Sequence, residues 1–521
     1  MTRKTSNKVL DQGKRGVLQI IFGRTMLILL LLLVQFLILF GWLYSLSQYV
    51  PYFFGSSLIF TAIMLIYVLN TRANPAFKLS WCVLIALLPA FGSLLYLFCH
   101  AELGHRTMRK LVQRSEAESK DLLPQDPELT RQLKNEDPSL YNLAHYLQRC
   151  GGYPVCSNTP VQYFPVGEQM LEEMLRQLEK AKHFIFLEYF IIAQGQMWGR
   201  ILEVLQRKAE EGVEVRVMYD GTSAVALLPY QYPEELEKLG IRCKMFSPIR
   251  PIVSTHYNNR DHRKIMVIDG HTAFTGGINL SDEYINIGSR FGHWKDTAVM
   301  LQGEGARSFT RMFLQMWNAT ERNREYTPYL ATALPERQSR GYVIPYADSP
   351  MDEESPGKMV YLDMINQAKE YVYIMTPYLI LDHETVTAMR YAAKRGVDVR
   401  LILPHIPDKK TVFALAKSHY PELAEAGVRI YEYTPGFVHA KVVLSDDKHG
   451  VVGTINLDYR SLYLHFECAA YMYRVSALED IKKDFDQTMA SSQEITLEEV
   501  HRRGPLIRLI GAILKLAAPL M

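Results

Sequence analysis

His262-Arg-Lys-Ile-Met-Val-Ile-Asp269 and His439-Ala-Lys-Val-Val-Leu-Ser-Asp446 share the pattern His-x-Lys-x4-Asp. Each leads into a second shared stretch, Gly276-Gly-Ile-Asn-Leu280 and Gly453-Thr-Ile-Asn-Leu457. The spacing is constant: 177 residues separate His262 from His439, and 177 separate Asn279 from Asn456. Upstream, Gly212-Val-Glu-Val-Arg-Val217 answers to Gly396-Val-Asp-Val-Arg-Leu401, and Leu239-Gly-Ile-Arg242 to Ala426-Gly-Val-Arg429. Chance likeness between βα units accounts for the upstream pairs but hardly for two pairs at one offset. Four matches in one order imply two copies of a single unit.

The unit reads as α/β. Met170, Leu171, Met174, Leu175 and Leu178 form a helical stripe, followed by the apolar run Phe184–Phe190. A helix over 199–211 reaches Gly212 and a second strand, Val213–Tyr219. Apolar runs without strict alternation, separated by helices, predict sheets buried on both faces. The predicted organisation is an N-terminal membrane anchor at 1–100, a polar connector at 101–160, a first unit at 161–335, a second at 336–490 and an amphipathic segment at 491–521.

In a strand, residues i and i+2 point to one face, so His262 shares a face with Lys264 and His439 with Lys441. A neutral imidazole beside a fixed ammonium suits attack on a phosphodiester: the lysine neutralises non-bridging oxygens while the histidine attacks phosphorus or moves a proton. One histidine cannot do both at once; two, facing each other across a pseudo-dyad, can. The basic flank of His262, Arg260 and Arg263, favours its neutral, nucleophilic form, although the intervening side chain of a strand points away from the site. His256, His271 and His293 lie near the first motif but lack metal-ligand spacing, so no metal is expected.

Composition narrows the class. The 58 basic and 55 acidic residues nearly cancel, which argues against a nucleic-acid-coating protein. Six cysteines in 521 residues exclude a disulfide-dense scaffold, and Cys150 and Cys156 are near enough in sequence to pair without anything requiring it. Residues 26–46, 50–69 and 79–99 carry no charge, and each approaches the ~20 residues a helix needs to cross a bilayer. Pro89 and Gly92 interrupt the third run, which spans, kinks or re-enters. Arg3, Lys4, Lys8, Lys14, Arg15 and Arg24 place the N-terminus in the cytoplasm. Arg72 and Lys78, then Arg106, Arg109, Lys110 and Arg114, also call for the cytoplasm, which three full spans cannot satisfy. The tail Arg502–Leu516 mixes cations with apolar residues and holds no acid, as an amphipathic helix on anionic lipid would.

Paired His-x-Lys-x4-Asp motifs followed by Gly-x-x-Asn resemble the phospholipase D superfamily, and within it the bacterial cardiolipin synthases. Asn74-Pro…Lys78-Leu-Ser-Trp81…Leu88-Pro89, Asn259-Arg-Asp-His-Arg-Lys264, Thr376-Pro-Tyr378 and Gly436-Phe-Val-His-Ala-Lys441 carry the closer likeness. The resemblance implies two tandem phospholipase D-like units forming a pseudo-dimeric catalytic region. It implies a catalytic set of His262, Lys264, Asp269, His439, Lys441 and Asp446, of which Asp269 and Asp446 are expected to hold the strand-to-turn geometry. Asn279 and Asn456 would cradle phosphate, and Asp296 and Glu467 would each orient a histidine of the other half. Glu188 has no acidic counterpart at Thr376 or Pro377, which leaves a catalytic role for it doubtful.

The implied reaction is ping-pong. His262 attacks the phosphorus of one phosphatidylglycerol while His439 protonates the departing glycerol. His439 then deprotonates a hydroxyl of a second phosphatidylglycerol, which takes the phosphatidyl group and gives cardiolipin. No cofactor is needed, and the partners are phosphatidylglycerol and the bilayer. A phospholipase D hydrolase or another phosphatidyltransferase shares these motifs, because the acceptor is chosen by pocket shape. A nuclease would need a basic groove, and a non-catalytic lipid-binding scaffold has no reason to keep both His-Lys pairs.

Overall fold

The computed structural model describes residues 24–100, 105–249, 258–288, 290–335, 337–502 and 505–520. The N-terminal basic cluster Arg3–Arg15, His256 and Arg503 lie outside the described residues. In chain order, the first unit holds β1 (Val161–Phe164), β2 (Phe184–Tyr189), β3 (Glu214–Asp220), β4 (Arg242–Phe246), β5 (Lys264–Ile268), β6 (Thr272–Gly276), β7 (His293–Lys295) and β8 (Ala298–Gln302). The second holds β9 (Tyr342–Asp348), β10 (Tyr371–Met375), β11 (Asp398–Pro404), β12 (Arg429–Tyr433), β13 (Gly436–Val438), β14 (Val442–Ser445), β15 (His449–Gly453), β16 (Glu467–Tyr473) and β17 (Ser492–Ile495).

The first sheet runs β1-β8-β6-β5-β2-β3-β4. Read from its matching edge, the second runs β9-β16-β15-β14-β10-β11-β12-β17. The order is the same, with β17 added at one edge. In each sheet the motif strand, β5 or β14, pairs antiparallel with the opening strand of a parallel trio. Every residue of β2, β5, β10 and β14 is buried, as sheets covered on both faces require. Buried residues of both units, Phe186 and Val267 with Tyr346 and Val451 among them, belong to one continuous core.

The motif aspartates close the motif strands. Asp269 and Asp446 adopt left-handed backbone, with φ of 51° and 52°. Asp269 accepts the backbone N–H groups of Lys182, His183 and Phe184 at 2.8 Å each. Asp446 does the same for Lys369, Glu370 and Tyr371 at 2.8–2.9 Å. Each locks the turn after its strand to the start of the neighbouring one.

Residues 105–151 are more than a connector. Helices His105–Ser119, Pro127–Glu136 and Pro138–Gly151 put Val112, Leu129, Leu133, Leu140 and Leu147 into the main core. Pro127 and Pro138, which with the mixed charge give this stretch the look of a polar connector in the sequence, occupy first helical turns capped by Asp126 and Asp137, where proline's missing N–H costs nothing. The fully buried Arg311 donates to the carbonyls of Lys120, Gly151 and Gly152, tying this layer to the first unit. Cys150 and Cys156 are both free thiols.

The hydrophobic region differs from three equal spans. Helix α1 (Arg24–Phe54) has 31 residues and contains the segment Leu33–Phe54, apolar and long enough to cross a membrane. The run 50–69 is not one helix: Gly55, at φ 68°, ends α1, and Ser56 caps the 14-residue α2 (Ser57–Asn70). At 1.5 Å per residue α2 is about 21 Å long, short of the ~30 Å hydrocarbon core. The run 79–99 breaks at Leu88–Pro89 into α3 (Pro75–Leu87) and α4 (Pro89–His100). These fold against each other so closely that a Cβ on Gly92 would lie 2.9 Å from the carbonyl oxygen of Leu84.

Asp269→Ala is expected to cost about 2–4 kcal/mol, because it strands three backbone donors. Thermal unfolding in detergent checks this. Turnover measured well below the unfolding midpoint should persist, as it would not for a residue that touches substrate.

Candidate active site

Backbone pairing between the two units builds the site. Strand β13 runs parallel to β7, and the N–H of His439 donates to the carbonyl of Lys295 at 2.7 Å. Across the pseudo-dyad, the N–H of His262 donates to Phe466 at 2.9 Å, and the N–H of Phe466 donates to Arg260 at 2.9 Å. Each histidine is thereby held against the residue that precedes a carboxylate of the other unit. Nδ1–H of His439 donates to Asp296 Oδ2 at 2.6 Å, and Nδ1–H of His262 donates to both oxygens of Glu467 at 2.9 Å. The buried carboxylates fix this tautomer and leave the lone pair on Nε2.

The surroundings hold both imidazoles neutral. Burial, then the ammonium groups of Lys264 and Lys441, push His262 well below the ordinary histidine range. Burial and Lys441 bring His439 to about 4 against the upward pull of Asp296. Burial opposes ionisation of Asp296, but His439 and Lys441 more than offset it and keep the carboxyl below its usual value. The lysines are strained in the same way: burial lowers Lys264 to about 8 and Lys441 to about 7. Lys264 Nζ donates to the carbonyl of His262 at 2.6 Å, and Lys441 donates to that of His439.

His262, His439, Asn279 and Asn456 line one cavity of about 820 Å³. Asn279 accepts the backbone N–H of Ile191 at 3.0 Å and donates to the Tyr284 hydroxyl at 2.6 Å. Oδ1 of Asn456 is buried without a partner. The motif aspartates, Asp269 and Asp446, are not among the residues lining it.

Two readings of the sequence change. Arg263 does not supply free positive charge to His262: its buried guanidinium pairs with Glu188 at 2.6 Å and with Asp261 at 3.3 Å. That ion pair also accounts for Glu188, which sits in the interior of β2 and not in the cavity. A third residue, His465, stands two positions before Glu467. Its ring centroid lies 5.5 Å from that of His262, and both its nitrogens are buried without hydrogen-bond partners. The pseudo-dyad places Trp294 in the matching position, 5.5 Å from His439. The pattern His465-x-Glu467 beside His293-Trp-Lys-Asp296 was the available signal, because residues two before each carboxylate share its strand face.

His262, His465 and Glu467 bring possible metal-ligand atoms within 4.8 Å of one another. The two ammonium groups that depress His262 oppose a dication there and favour an anion. Among the described residues, His271 and His293 are not part of that group.

The family described as "Cardiolipin synthase, PLD-like domain" matches residues 174–317 and 361–489, one segment in each unit. The phospholipase D-nuclease N-terminal family matches residues 59–99. A cardiolipin synthase of Geobacillus kaustophilus is 35% identical over 451 residues, 86% of this chain and 89% of that protein. The chain belongs to the cardiolipin synthases of the phospholipase D superfamily. It is a phosphatidyltransferase by that membership, and α1 fits association with a membrane. An uncharacterized protein of Streptococcus mutans is 54% identical over 456 residues, covering 88% of this chain and 99% of its own. The crystal structure of a phosphatidylserine synthase from Haemophilus influenzae superposes with a TM-score of 0.57 at 15% identity, covering 73% of this chain and 99% of that one. It shares the fold.

Two outcomes follow for this synthase. Asp296→Asn should lower turnover on the order of 10³–10⁴-fold by losing the tautomer that leaves Nε2 unprotonated, measured as initial rate with the protein still folded by circular dichroism. The ratio kcat/KM should fall as pH rises past about 7, where Lys441 loses its proton in the free enzyme, with Lys264 following at about 8. A phosphate-binding role for the protonated lysines would place the loss on the alkaline side. A bound anion raises both values, so kcat should hold to higher pH; a pH profile of the two constants separates them.

Proposed function

We propose that this enzyme transfers a phosphatidyl group from one phosphatidylglycerol to another through a phosphatidyl-histidine at His262. Nε2 of His262 forms the bond to phosphorus as the bond to the glycerol oxygen breaks. His439 takes part in this step as the imidazolium, which the bound phosphodiester anion and Asp296 stabilise, and its Nε2 proton passes to that oxygen, leaving it neutral for the second half-reaction. The second phosphatidylglycerol loses its hydroxyl proton to His439, forms the new phosphoester bond and releases His262. One phosphodiester replaces another, so no external energy source enters. Lys264, Lys441, Asn279 and Asn456 hold the charge that gathers on the phosphoryl oxygens.

The crossed His–carboxylate pairing carries this reading, because it supplies a nucleophile and an acid–base group from different units in one cavity. The carboxylates favour the assignment of roles. Oδ2 of Asp296 serves His439 at 2.6 Å and supports the imidazolium that a proton carrier must become. Glu467 divides itself: Oε2 also accepts from Thr454, and Oε1 lies 3.8 Å from His465. His262 is the less supported imidazolium and the better neutral nucleophile.

Vesicles of phosphatidylglycerol incubated with the enzyme should yield cardiolipin and glycerol by mass spectrometry. Phosphatidic acid in place of cardiolipin would make it a hydrolase. His262→Ala and His439→Ala should each reduce synthesis by about 10³-fold or more. Acid quenching with labelled lipid should place the label on the peptide that holds His262, and label on the His439 peptide alone would reverse the two roles.

A further inference from the structure

The cavity is polar where the histidines meet and apolar along one side of its rim. Ile380, Val412, Tyr459 and Ala518 line it together with His262 and His439. Ile380, Tyr459 and Ala518 are buried with Leu415 in a small apolar cluster of their own, against which Phe77, Val412 and Leu514 pack. Three distant parts of the chain therefore meet at this rim: the hairpin helix α3, the helix Lys410–Ala424, and the C-terminal helix Pro505–Ala517 with its terminal turn.

Their contacts are specific. The ring of Phe77 stands edge-on to Tyr459 at 5.7 Å and to Tyr463 at 5.9 Å. Ser80 donates to the carbonyl of Leu516 at 2.7 Å, and Lys515 pairs with Glu422 at 2.8 Å. The C-terminal helix is thus fixed on one side and bare on the other, where Leu509, Ile510 and Ile513 are 58%, 44% and 60% exposed. On the hairpin, Leu79 and Leu87 are likewise exposed. Apolar surface that water does not favour runs from the hairpin and the last helix to the elements of the cavity rim.

We infer that the acyl chains of the phospholipid substrate reach the cavity from the bilayer over the rim formed by Val412, Tyr459 and Ala518, with the C-terminal helix as one wall of the entrance. The inference takes from the proposed function only that the substrate is a phospholipid. A lipid whose phosphate must reach His262 and His439 needs somewhere apolar for its tails throughout, and this side of the cavity offers it beside the exposed apolar face of the last helix. The last helix then has two faces with two duties: Leu514 and the following Ala518 close the rim, while Leu509, Ile510 and Ile513 rest in the membrane interface.

The full chain in lipid nanodiscs, with phosphatidylglycerol carrying a diazirine on its acyl chain, tests the path by illumination and peptide mapping. Labelled peptides containing Val412 and Ala518 are expected; label confined to α1 and α2 would overturn the inference. Ala518→Trp narrows the rim and should lower the ratio of long-chain to dihexanoyl phosphatidylglycerol turnover at least tenfold. An equal loss on both substrates in a folded variant would also overturn it. If that variant does not fold, the labelling of the unmodified chain decides. Label at the rim without any cardiolipin from either substrate would leave the path standing and remove the transfer chemistry.

Discussion

Two backbone hydrogen bonds between the units, from His262 to Phe466 and from His439 to Lys295, determine the site. Each fixes a histidine one residue away from the carboxylate that must accept its Nδ1 proton. Side-chain contacts alone would leave the 2.6–2.9 Å geometry to rotamer chance; a backbone pairing sets it by strand register. The duplicated sheets, their shared strand order and the common core bring these two pairings to one place. Neither unit holds a complete site, because each supplies the carboxylate for the other's histidine.

The electrostatics follow from packing these groups together out of water. Glu467 and Asp296 offset the two lysines, but burial still lowers both ammonium groups toward neutrality. Keeping both lysines charged beside the cavity is therefore costly, and an anion next to them would ease that cost. Burial and the same cations hold both imidazoles neutral.

Much of this was legible in the chain. The constant offset between His262 and His439 and between Asn279 and Asn456 announced the duplication, and alternation along a strand put each lysine beside its histidine. What misled was context that only tertiary contacts supply. Arg263 reads as a cation near the nucleophile, yet a strand turns it away, into Glu188 and Asp261. Pro127 and Pro138 give 101–160 the look of a polar connector, but at a first turn proline begins a helix. The charge-free run 79–99 has the length of a span, and only Pro89 with the close approach at Gly92 shows it to be a hairpin. His465 was invisible because an unpartnered imidazole is defined by what fails to surround it.

The helical layer at 105–151 has a consequence for how the chain is made. Glu136 takes hydrogen bonds from Tyr342 and Arg474, and Asp137 from Tyr473. The last of these partners leaves the ribosome 338 residues after Glu136. At 5–20 residues per second that is a wait of about 17–70 s. Well before it ends the early helices have the first unit to pack on, since Arg311 reaches the carbonyls of Lys120, Gly151 and Gly152. The contacts that the second unit makes with Glu136 and Asp137 are therefore the late ones, closing on a layer that the first unit already holds.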